Sequence, residues 1–235
     1  MHRTGAGGRW SATLVGVMET RPPQRTFRIR GRMSAAKATA LVELTDRYRP
    51  VPHHGPLDFA ATFGRNAPVV LDLGFGLGAS VLAHARVHPD HDVLGVEVHD
   101  PGISVLLQQL AAEGSTNVRV ERADGLELLE RIPLDSLHAV HVFFPDPWPK
   151  LKHRARRLVR PDAVAALVAR LQIGGVLHVA TDSDDYGQQM RVVLAGEPGL
   201  APAVDDRGER AVTKYERYGI EAGRTIVDLR AVRTR

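Results

Sequence analysis

The sequence contains no cysteine and no long hydrophobic run. Without cysteine there can be no disulfide scaffold, cysteine-ligated zinc site, iron-sulfur cluster or thiol nucleophile. No stretch approaches the roughly 18 apolar residues of a membrane span. The only stretch resembling a secretory hydrophobic region, residues 12–18, is short and has no convincing cleavage site. We therefore expect a soluble, cytoplasmic protein.

The 235 residues are 43% hydrophobic and 25% charged, which is typical of a globular domain and predicts one domain plus a tail. The net charge of +4 allows a polyanionic partner but does not require one. Residues 1–32 carry seven arginines against one acid, Glu19. This pattern predicts a flexible basic arm over residues 1–33, with a solvated tail of no function as the alternative.

Short β-branched runs alternate with helical segments from Pro68 onward, which predicts an α/β fold with a mainly parallel sheet. The predicted strands are 69–73, 92–98, 117–121, 138–144, 176–181 and 225–231. The predicted helices are 79–88, 101–113, 126–131, 161–171 and 184–195, preceded by a helix over 34–48 that Ser34 caps. We expect the core of the domain to begin near Leu57.

A glycine-rich loop follows the first predicted strand, in the order Asp72-Leu73-Gly74-Phe75-Gly76-Leu77-Gly78-Ala79. Glycines at such a turn let the backbone approach a nucleotide-like cofactor. Gly74, Gly76 and Ala79 also satisfy the fingerprint of dinucleotide-binding folds. Asp72 would repel a pyrophosphate but attract a cationic amino-acid group, so it favours S-adenosylmethionine over NAD.

Glu97 ends the second predicted strand, and Asp124 follows the third. Glu97 lies where a carboxylate accepts hydrogen bonds from ribose hydroxyls, and both cofactors have a ribose. Asp124 can accept from an adenine amine. A helix cap or a turn is the structural alternative for each acid. Together with the glycine loop, the acids favour a cofactor site, with methyl transfer ahead of hydride transfer.

The fourth predicted strand ends in Phe143-Phe144-Pro145-Asp146-Pro147-Trp148-Pro149-Lys150. Three prolines restrict this loop, so we expect it to present Asp146 and Trp148 at the ligand-binding edge of the sheet. The alternative is a rigid connector in which Trp148 plugs the core. A basic segment continues the loop, and its members are Lys150, Lys152, His153, Arg154, Arg156, Arg157 and Arg160. With the arginine arm, this second basic surface favours a polynucleotide substrate.

Thr213-Lys214-Tyr215-Glu216-Arg217-Tyr218-Gly219 predicts a polar and aromatic loop before the last strand. In this loop Glu216 can accept from a guanine amine and Tyr215 offers a stacking face.

His84 and His88 lie four residues apart on a predicted helix, but no third ligand is evident nearby, so we predict no metal site. His138 and His141 are three apart on a strand and are expected to face opposite sides.

With these motifs in view, the chain resembles the bacterial tRNA (guanine-N7-)-methyltransferase family, a branch of the class I S-adenosylmethionine-dependent methyltransferases. The resemblance runs from about Thr26 to Asp228. It rests on the segments 25–32, 71–76, 95–99, 143–150, 180–182 and 213–216.

The resemblance implies a Rossmann-like fold with a seven-stranded, mainly parallel sheet and helices on both faces, over residues 34–235. It implies S-adenosylmethionine as methyl donor, no required metal, tRNA as partner, and a monomer or homodimer without an obligatory protein partner. The implied cofactor-binding residues are Asp72, Gly74, Gly76, Glu97, Asp124 and Asp146. The implied substrate-binding residues are Lys150, Asp182, Thr213, Lys214, Tyr215 and Glu216.

The implied reaction is methyl transfer to N7 of a guanine in the variable loop of tRNA. Guanine N7 exposes an in-plane lone pair, so in-line placement should supply most of the rate. We expect Asp146 to be the catalytic residue, orienting the base or the sulfonium and stabilising the cationic product ring. The alternatives are a methyltransferase of the same fold acting on another RNA or a small molecule, and a non-catalytic RNA-binding protein.

Overall fold

The computed structural model of the chain describes residues 34–235. The basic arm predicted for residues 1–33, with Arg28, Arg30 and Arg32, lies outside the described residues.

One seven-stranded sheet organises the described part of the chain. Its strands are β1 (Val69–Leu73), β2 (Asp92–Glu97), β3 (Val118–Arg122), β4 (Leu137–Phe143), β5 (Leu171–Thr181), β6 (Val204–Asp205) and β7 (Val227–Val232). The spatial order is β3-β2-β1-β4-β5-β7-β6. Strands β1 to β5 pair in parallel, and β7 runs antiparallel to both β5 and β6. The predicted mainly parallel sheet is confirmed.

Eight α-helices accompany these strands in residues 34–235. They are α1 (Ala35–Tyr48), α2 (Phe59–Phe63), α3 (Ala79–Val87), α4 (Asp100–Glu113), α5 (Gly125–Leu128), α6 (Pro161–Val168), α7 (Asp184–Ala195) and α8 (Lys214–Glu221). Two 3-10 helices, Leu129–Arg131 and Leu151–Arg156, complete the set. Across this part of the chain, none of the helices has the length and apolarity needed to cross a membrane.

Hydrophobic side chains pack on both faces of the sheet because parallel strands are buried on both sides. Every residue of β1 is buried, and its Val69, Leu71 and Leu73 belong to a cluster that includes side chains of α6 and α7. A second cluster joins β2 and β3 to α3, α4 and α1. The sequence therefore forms a three-layer arrangement with helices on either side of the sheet.

The predicted helix over 34–48 is confirmed, with the Ser34 side chain accepting from the Lys37 amide at 3.4 Å. Two predicted boundaries were wrong near β5. Helix α6 ends at Val168, and β5 begins at Leu171 instead of 176. Strand β5 carries an irregularity around Gly174, whose φ of +82° favours glycine, and this break hid the first half of the strand.

Residues 213–219 form the start of a helix, so the predicted loop was wrong. Thr213 accepts from the Glu216 amide at 3.1 Å, and the Glu216 side chain accepts from the Thr213 amide at 3.3 Å. This reciprocal capping box begins α8. The Thr-x-x-Glu pattern is visible in the sequence and indicates a helix start, but the prediction assigned Glu216 to base recognition. The two-residue strand β6 was too short to predict.

The opposite orientation expected for His138 and His141 was also wrong. The His138 ring packs edge-on against His91 at 5.0 Å, and the His141 ring packs against His84 at 5.3 Å. Both histidines line one cavity. Strand pairing shifts register between Leu137 and Ala139, so regular alternation does not extend to His138.

Candidate functional site

Acidic side chains converge at the carboxyl edge of the sheet. Asp72 lies in β1, Glu97 ends β2, and Asp124 and Asp146 follow β3 and β4. These four strands are parallel neighbours in the order β3-β2-β1-β4, so their carboxyl ends meet at one edge. Asp182 follows β5 at the same edge. The structure thus brings together the acids predicted to bind cofactor.

The glycine loop leaves its backbone open toward this edge. Gly74 and Gly76 have φ angles of +72° and +60°. A Cβ atom built on Gly74 would meet no atom within 4 Å. Behind the loop, a Cβ atom on Gly102 of α4 would lie only 2.1 Å from the Gly76 carbonyl oxygen. Helix α4 therefore fixes the loop at Gly76 from one side, and the space beside Gly74 stays open.

Glu97 holds the turn that follows β2 against the glycine loop. Its Oε2 accepts from the Gly76 amide at 2.9 Å, and its Oε1 accepts from the amides of Val98 at 2.7 Å and His99 at 3.0 Å. These bonds fix the carboxylate before any ligand binds. Asp124 accepts from the Leu126 amide at 2.9 Å and so caps α5. Asp124 is therefore a helix cap, which was the structural alternative for this residue. Binding of adenine would be a second role for the same carboxylate.

Asp72 is the most deeply buried of these acids, at 1% exposure. Burial raises its pKa to about 7, a hydrogen bond from Ser80 lowers it, and nearby Glu97 raises it. Within residues 34–235, its Oδ2 has no hydrogen-bond partner. An unsatisfied buried carboxyl oxygen is costly unless a donor or a cation reaches it. The ammonium group of an amino-acid moiety fits this position.

In the loop after β4, Asp146 and Trp148 differ in burial. Asp146 is half-buried at the carboxyl edge, whereas Trp148 is only 6% exposed. Trp148 adopts a positive φ of +39°, and the Arg156 guanidinium carbon lies 4.9 Å from its ring centroid. Trp148 is therefore buried, as the alternative of a rigid connector with Trp148 in the core predicts. Asp146 is the functional candidate of this loop.

Helix α8 brings the predicted substrate residues to the glycine loop. A Cβ atom built on Gly76 would lie 3.6 Å from Cε2 of Tyr215, so the Tyr215 ring packs over the loop. On the same helix, Gly219 lies against Asp182, since a Cβ atom there would be 2.9 Å from the Asp182 Cβ. Tyr215 remains half-exposed and can still offer a stacking face.

Comparison with known proteins identifies the family. A family model described as "putative methyltransferase" matches residues 66–229. The chain is 45% identical over 218 residues to a tRNA (guanine-N(7)-)-methyltransferase of Alkalilimnicola ehrlichii, covering 89% of this chain and 92% of that protein. It is also 45% identical over 205 residues to the enzyme of that name from Burkholderia vietnamiensis, covering 85% of this chain and 80% of that protein. The chain belongs to the tRNA (guanine-N(7)-)-methyltransferase family.

Among solved structures, the 16S rRNA methyltransferase KamB matches this family member with a TM-score of 0.56 and 18% identity. The match covers 80% of this chain and 98% of that chain. At this identity the likeness shows a shared fold, which is that of class I methyltransferases.

Arg157 of this methyltransferase family member has a structural role that sequence reasoning missed. The residue is 1% exposed, and its guanidinium donates to the Pro147 carbonyl at 2.8 Å, to Gln189 Oε1 at 2.7 Å and to Asp185. Arg157 belongs to the basic segment that was expected to face a polynucleotide, but its burial prevents contact with a phosphate. Arg157 instead holds the Asp146 loop against α7, and charge pattern alone cannot distinguish it from its exposed neighbours.

The exposed part of the basic segment is the end of the Asp146 loop and the 3-10 helix that follows. Lys150 and Lys152 are both exposed. Arg154 pairs with Asp185 at 2.6 Å and keeps 40% of its side chain exposed. Cations therefore remain beside the Asp146 loop even though Arg157 is not among them.

Arg210, also missed by sequence reasoning, holds the base of α8. Its buried guanidinium pairs with Glu216 at 2.7 Å and with Asp228 at 2.6 Å. Burial opposes ionisation of Glu216, but hydrogen bonds from Arg210 and Arg207 outweigh it and lower the pKa of Glu216. Glu216 is only 3% exposed. Its predicted contact with a guanine amine stays a prediction, and its role in capping α8 is visible.

Proposed function

We propose that this chain transfers the methyl group of S-adenosylmethionine to N7 of a guanine in tRNA, and that the guanine lies in the variable loop. The observation that carries the proposal is the meeting of the cofactor loop with α8. Tyr215 packs over Gly76 at the edge where Asp72, Glu97 and Asp146 converge. Membership of the family supplies the reaction and the substrate class.

The cofactor roles follow from the donors and acceptors at the edge. S-adenosylmethionine, when bound, supplies an electrophilic methyl group on a positively charged sulfur. Asp72 receives the ammonium group, because its Oδ2 is buried and lacks a partner among the described residues. Glu97 accepts from ribose hydroxyls, and Asp124 accepts from the adenine amine. Gly74 leaves room for close approach, because a Cβ atom there would meet no atom within 4 Å.

The chain's main contribution to the rate is placement. A bond forms between guanine N7 and the methyl carbon as the sulfur–methyl bond breaks, and the positive charge moves from sulfur to the guanine ring. No proton has to leave N7, so no general base is needed. Asp146 orients the reacting groups and stabilises the cationic ring with its carboxylate. Lys150, Asp182 and residues 213–216 position the nucleotide.

The decisive experiment is a nucleoside analysis. The full chain is incubated with labelled S-adenosylmethionine and unmodified tRNA, the RNA is digested, and the labelled nucleoside is identified. We expect 7-methylguanosine, and a tRNA with the variable-loop guanine replaced should stay unlabelled. Label in another nucleoside would refute the substrate assignment. Cofactor binding without any label would favour a non-catalytic RNA-binding protein.

Asp146→Asn tests the catalytic role. Removing the negative charge while keeping the shape should lower turnover about 100-fold at saturating tRNA and cofactor, because the cationic product ring loses its stabilisation. The control is Asp135→Asn, since Asp135 is 63% exposed and precedes β4 at the opposite edge of the sheet. Wild-type turnover in Asp146→Asn would refute the role.

The salt dependence of tRNA binding tests the basic surface. Replacing both Lys150 and Lys152 by Gln should reduce the slope of log K against log salt by about 1.5, at roughly 0.7 to 0.9 per lost phosphate contact. The control is Lys37→Gln on α1, which removes the same kind of charge elsewhere. An unchanged slope in the double variant would exclude these lysines from the interface.

A further inference from the structure

The buried side of helix α8 is formed by Glu216 and Gly219. Glu216 pairs with Arg210 at 2.7 Å, and Gly219 packs against Asp182. Just beyond the helix, Arg224 Nε donates to the Asp182 carboxylate at 2.9 Å. The six other residues of α8 are exposed. The helix is therefore fixed near both ends, and most of its side chains face solvent.

Two tyrosines and a lysine share one flank of α8. Successive residues of an α-helix are about 100° apart around its axis, so Tyr218 lies about 60° from Tyr215, and Lys214 about 40° beyond Tyr218. The same geometry places Ile220 about 140° from Tyr215, on the opposite flank of the buried side. Because the Tyr215 ring packs over the glycine loop at Gly76, Tyr218 and Lys214 stand on the flank that begins at this loop.

The rings on this flank are unusual for this chain because they are open to solvent. Tyr215 and Tyr218 are each 51% exposed. Among the phenylalanine, tryptophan and tyrosine side chains of residues 34–235, only these two are exposed. By contrast, Tyr48 and Tyr186 are buried at 1% and 0% exposure. The exposed aromatic surface in this part of the chain is thus confined to one turn of α8, beside the cofactor loop.

The charges around the two rings suit a nucleic acid strand. The Lys214 Nζ lies 5.4 Å from the ring centroid of Tyr218, which is a cation–π contact. Lys214 and Arg217 are exposed on α8 against one exposed acid, Glu221. A stacking face next to a cation is the combination with which proteins hold single-stranded nucleic acids, since bases stack on rings and phosphates meet the charge.

We propose that Tyr218 stacks on a tRNA base next to the target guanine, and that Lys214 binds the adjoining phosphate. The inference rests on the proposed function, in which Tyr215 stacks on the guanine itself. Side chains three residues apart on a helix have Cβ atoms about 5 to 6 Å apart, within reach of two neighbouring nucleotides. Tyr218 lies farther out on the flank, so it holds the strand without touching the reacting atoms. Such stacking tolerates any base.

Substitution of Tyr218 tests the stacking ring. The Kd for unmodified tRNA should rise about tenfold in Tyr218→Ala and stay within about twofold of wild type in Tyr218→Phe, which keeps the ring. Ile220→Ala is the matched control, since Ile220 is 56% exposed on the opposite flank and should bind tRNA like wild type. Alanine is a better helix former than tyrosine, so the substitution does not weaken α8 by itself. Circular dichroism and the Kd for S-adenosylmethionine, both expected to be unchanged, report the fold.

The same variants separate strand binding from chemistry. In steady-state methylation, Tyr218→Ala should raise the KM for tRNA and leave kcat within about twofold of wild type, because the lost contact holds the substrate before and during the reaction alike. A wild-type Kd in Tyr218→Ala, or an equal rise in Kd in Tyr218→Phe, would overturn the proposal.

Two tRNAs, each lacking one base beside the target guanine, identify the partner of the ring. Wild type should bind one of them about tenfold more weakly than intact tRNA. Tyr218→Ala should bind that RNA and intact tRNA equally, because removal of either partner already removes the stacking. Full, additive losses with both RNAs would contradict the proposal. The two failures are distinguishable: coupling without formation of 7-methylguanosine refutes only the proposed function, and methylation without coupling refutes only the role of Tyr218.

Discussion

The pKa of Asp72 predicts how cofactor binding depends on pH. Burial raises this pKa to about 7 in the cofactor-free protein. The carboxyl group is then about 3% ionised at pH 5.5 and about half ionised at pH 7. If only the ionised form pairs with the cofactor ammonium, the Kd for S-adenosylmethionine should fall about fifteenfold between these pH values. This ratio corresponds to about 1.6 kcal/mol.

The direction follows from which state holds the proton. A pKa raised above its unfolded value means that protonated Asp72 stabilises the cofactor-free fold fully below pH 3.8, and that this contribution is lost as pH rises through about 7. A bound cation reverses the preference, because it stabilises the carboxylate. Cofactor binding below pH 7 therefore releases a proton and becomes tighter as pH rises.

Calorimetry on the full chain measures both quantities. The Kd is determined at steps from pH 5.5 to 7, and titrations in buffers of different ionisation enthalpy count the protons released. Asp72→Asn should bind more weakly and show a nearly flat profile. Asp135→Asn, at the opposite edge of the sheet, should keep the wild-type slope. A pH-independent Kd in the wild type, or an unchanged slope in Asp72→Asn, would refute the assignment of Asp72 to the ammonium group.

Two further predictions concern stability and the glycine loop. Arg157→Met should lower the free energy of unfolding by about 2 kcal/mol in urea denaturation, because buried acceptors lose their donor. Both arginines pair with Asp185, but Arg154 is partly exposed, so Arg154→Met should lower it by less than about 0.5 kcal/mol. Equal losses would contradict the role of burial. Gly102→Ala should weaken cofactor binding about tenfold, because the added Cβ atom displaces the Gly76 carbonyl. The control is Gly196→Ala, which should not weaken binding, since the nearest atom to its Cβ would be 3.4 Å away. The Kd of each variant is measured by cofactor titration.

Much of the fold was predictable because its signals are local. Strand β1 is fully buried on both faces and therefore appears in the sequence as an unbroken run of strand residues around one acid. The Ser34 cap lies next to the helix that it begins. The boundary of β5 failed because Gly174 and Gly175 resemble a turn, and pairing with β4 and β7 overrides that local preference.

The placement of the predicted acids at one edge of the sheet was predictable for a different reason. In an open parallel sheet, topology places the residues at and just after the carboxyl end of each strand at one shared edge. The sequence alone therefore groups Asp72, Glu97, Asp124 and Asp146. The sequence could not predict the protonation of Asp72 or the hydrogen bonds of Glu97. The raised pKa of Asp72 depends on burial beneath other elements, and the bonds of Glu97 depend on the path of the glycine loop.

The sequence by itself determined the order of elements, the glycine loop, the acids at the strand ends and the resemblance to a methyltransferase family, because each is written in adjacent residues. Only the tertiary structure decided which charges are exposed and which histidines meet. Arg157 and Arg154 look alike in the sequence, yet Arg157 is buried against Gln189, 32 residues away. His84 and His141 touch only because α3 packs on the sheet beside β4. Burial and contact depend on partners distant along the chain, and their free energies exist only once the chain has folded.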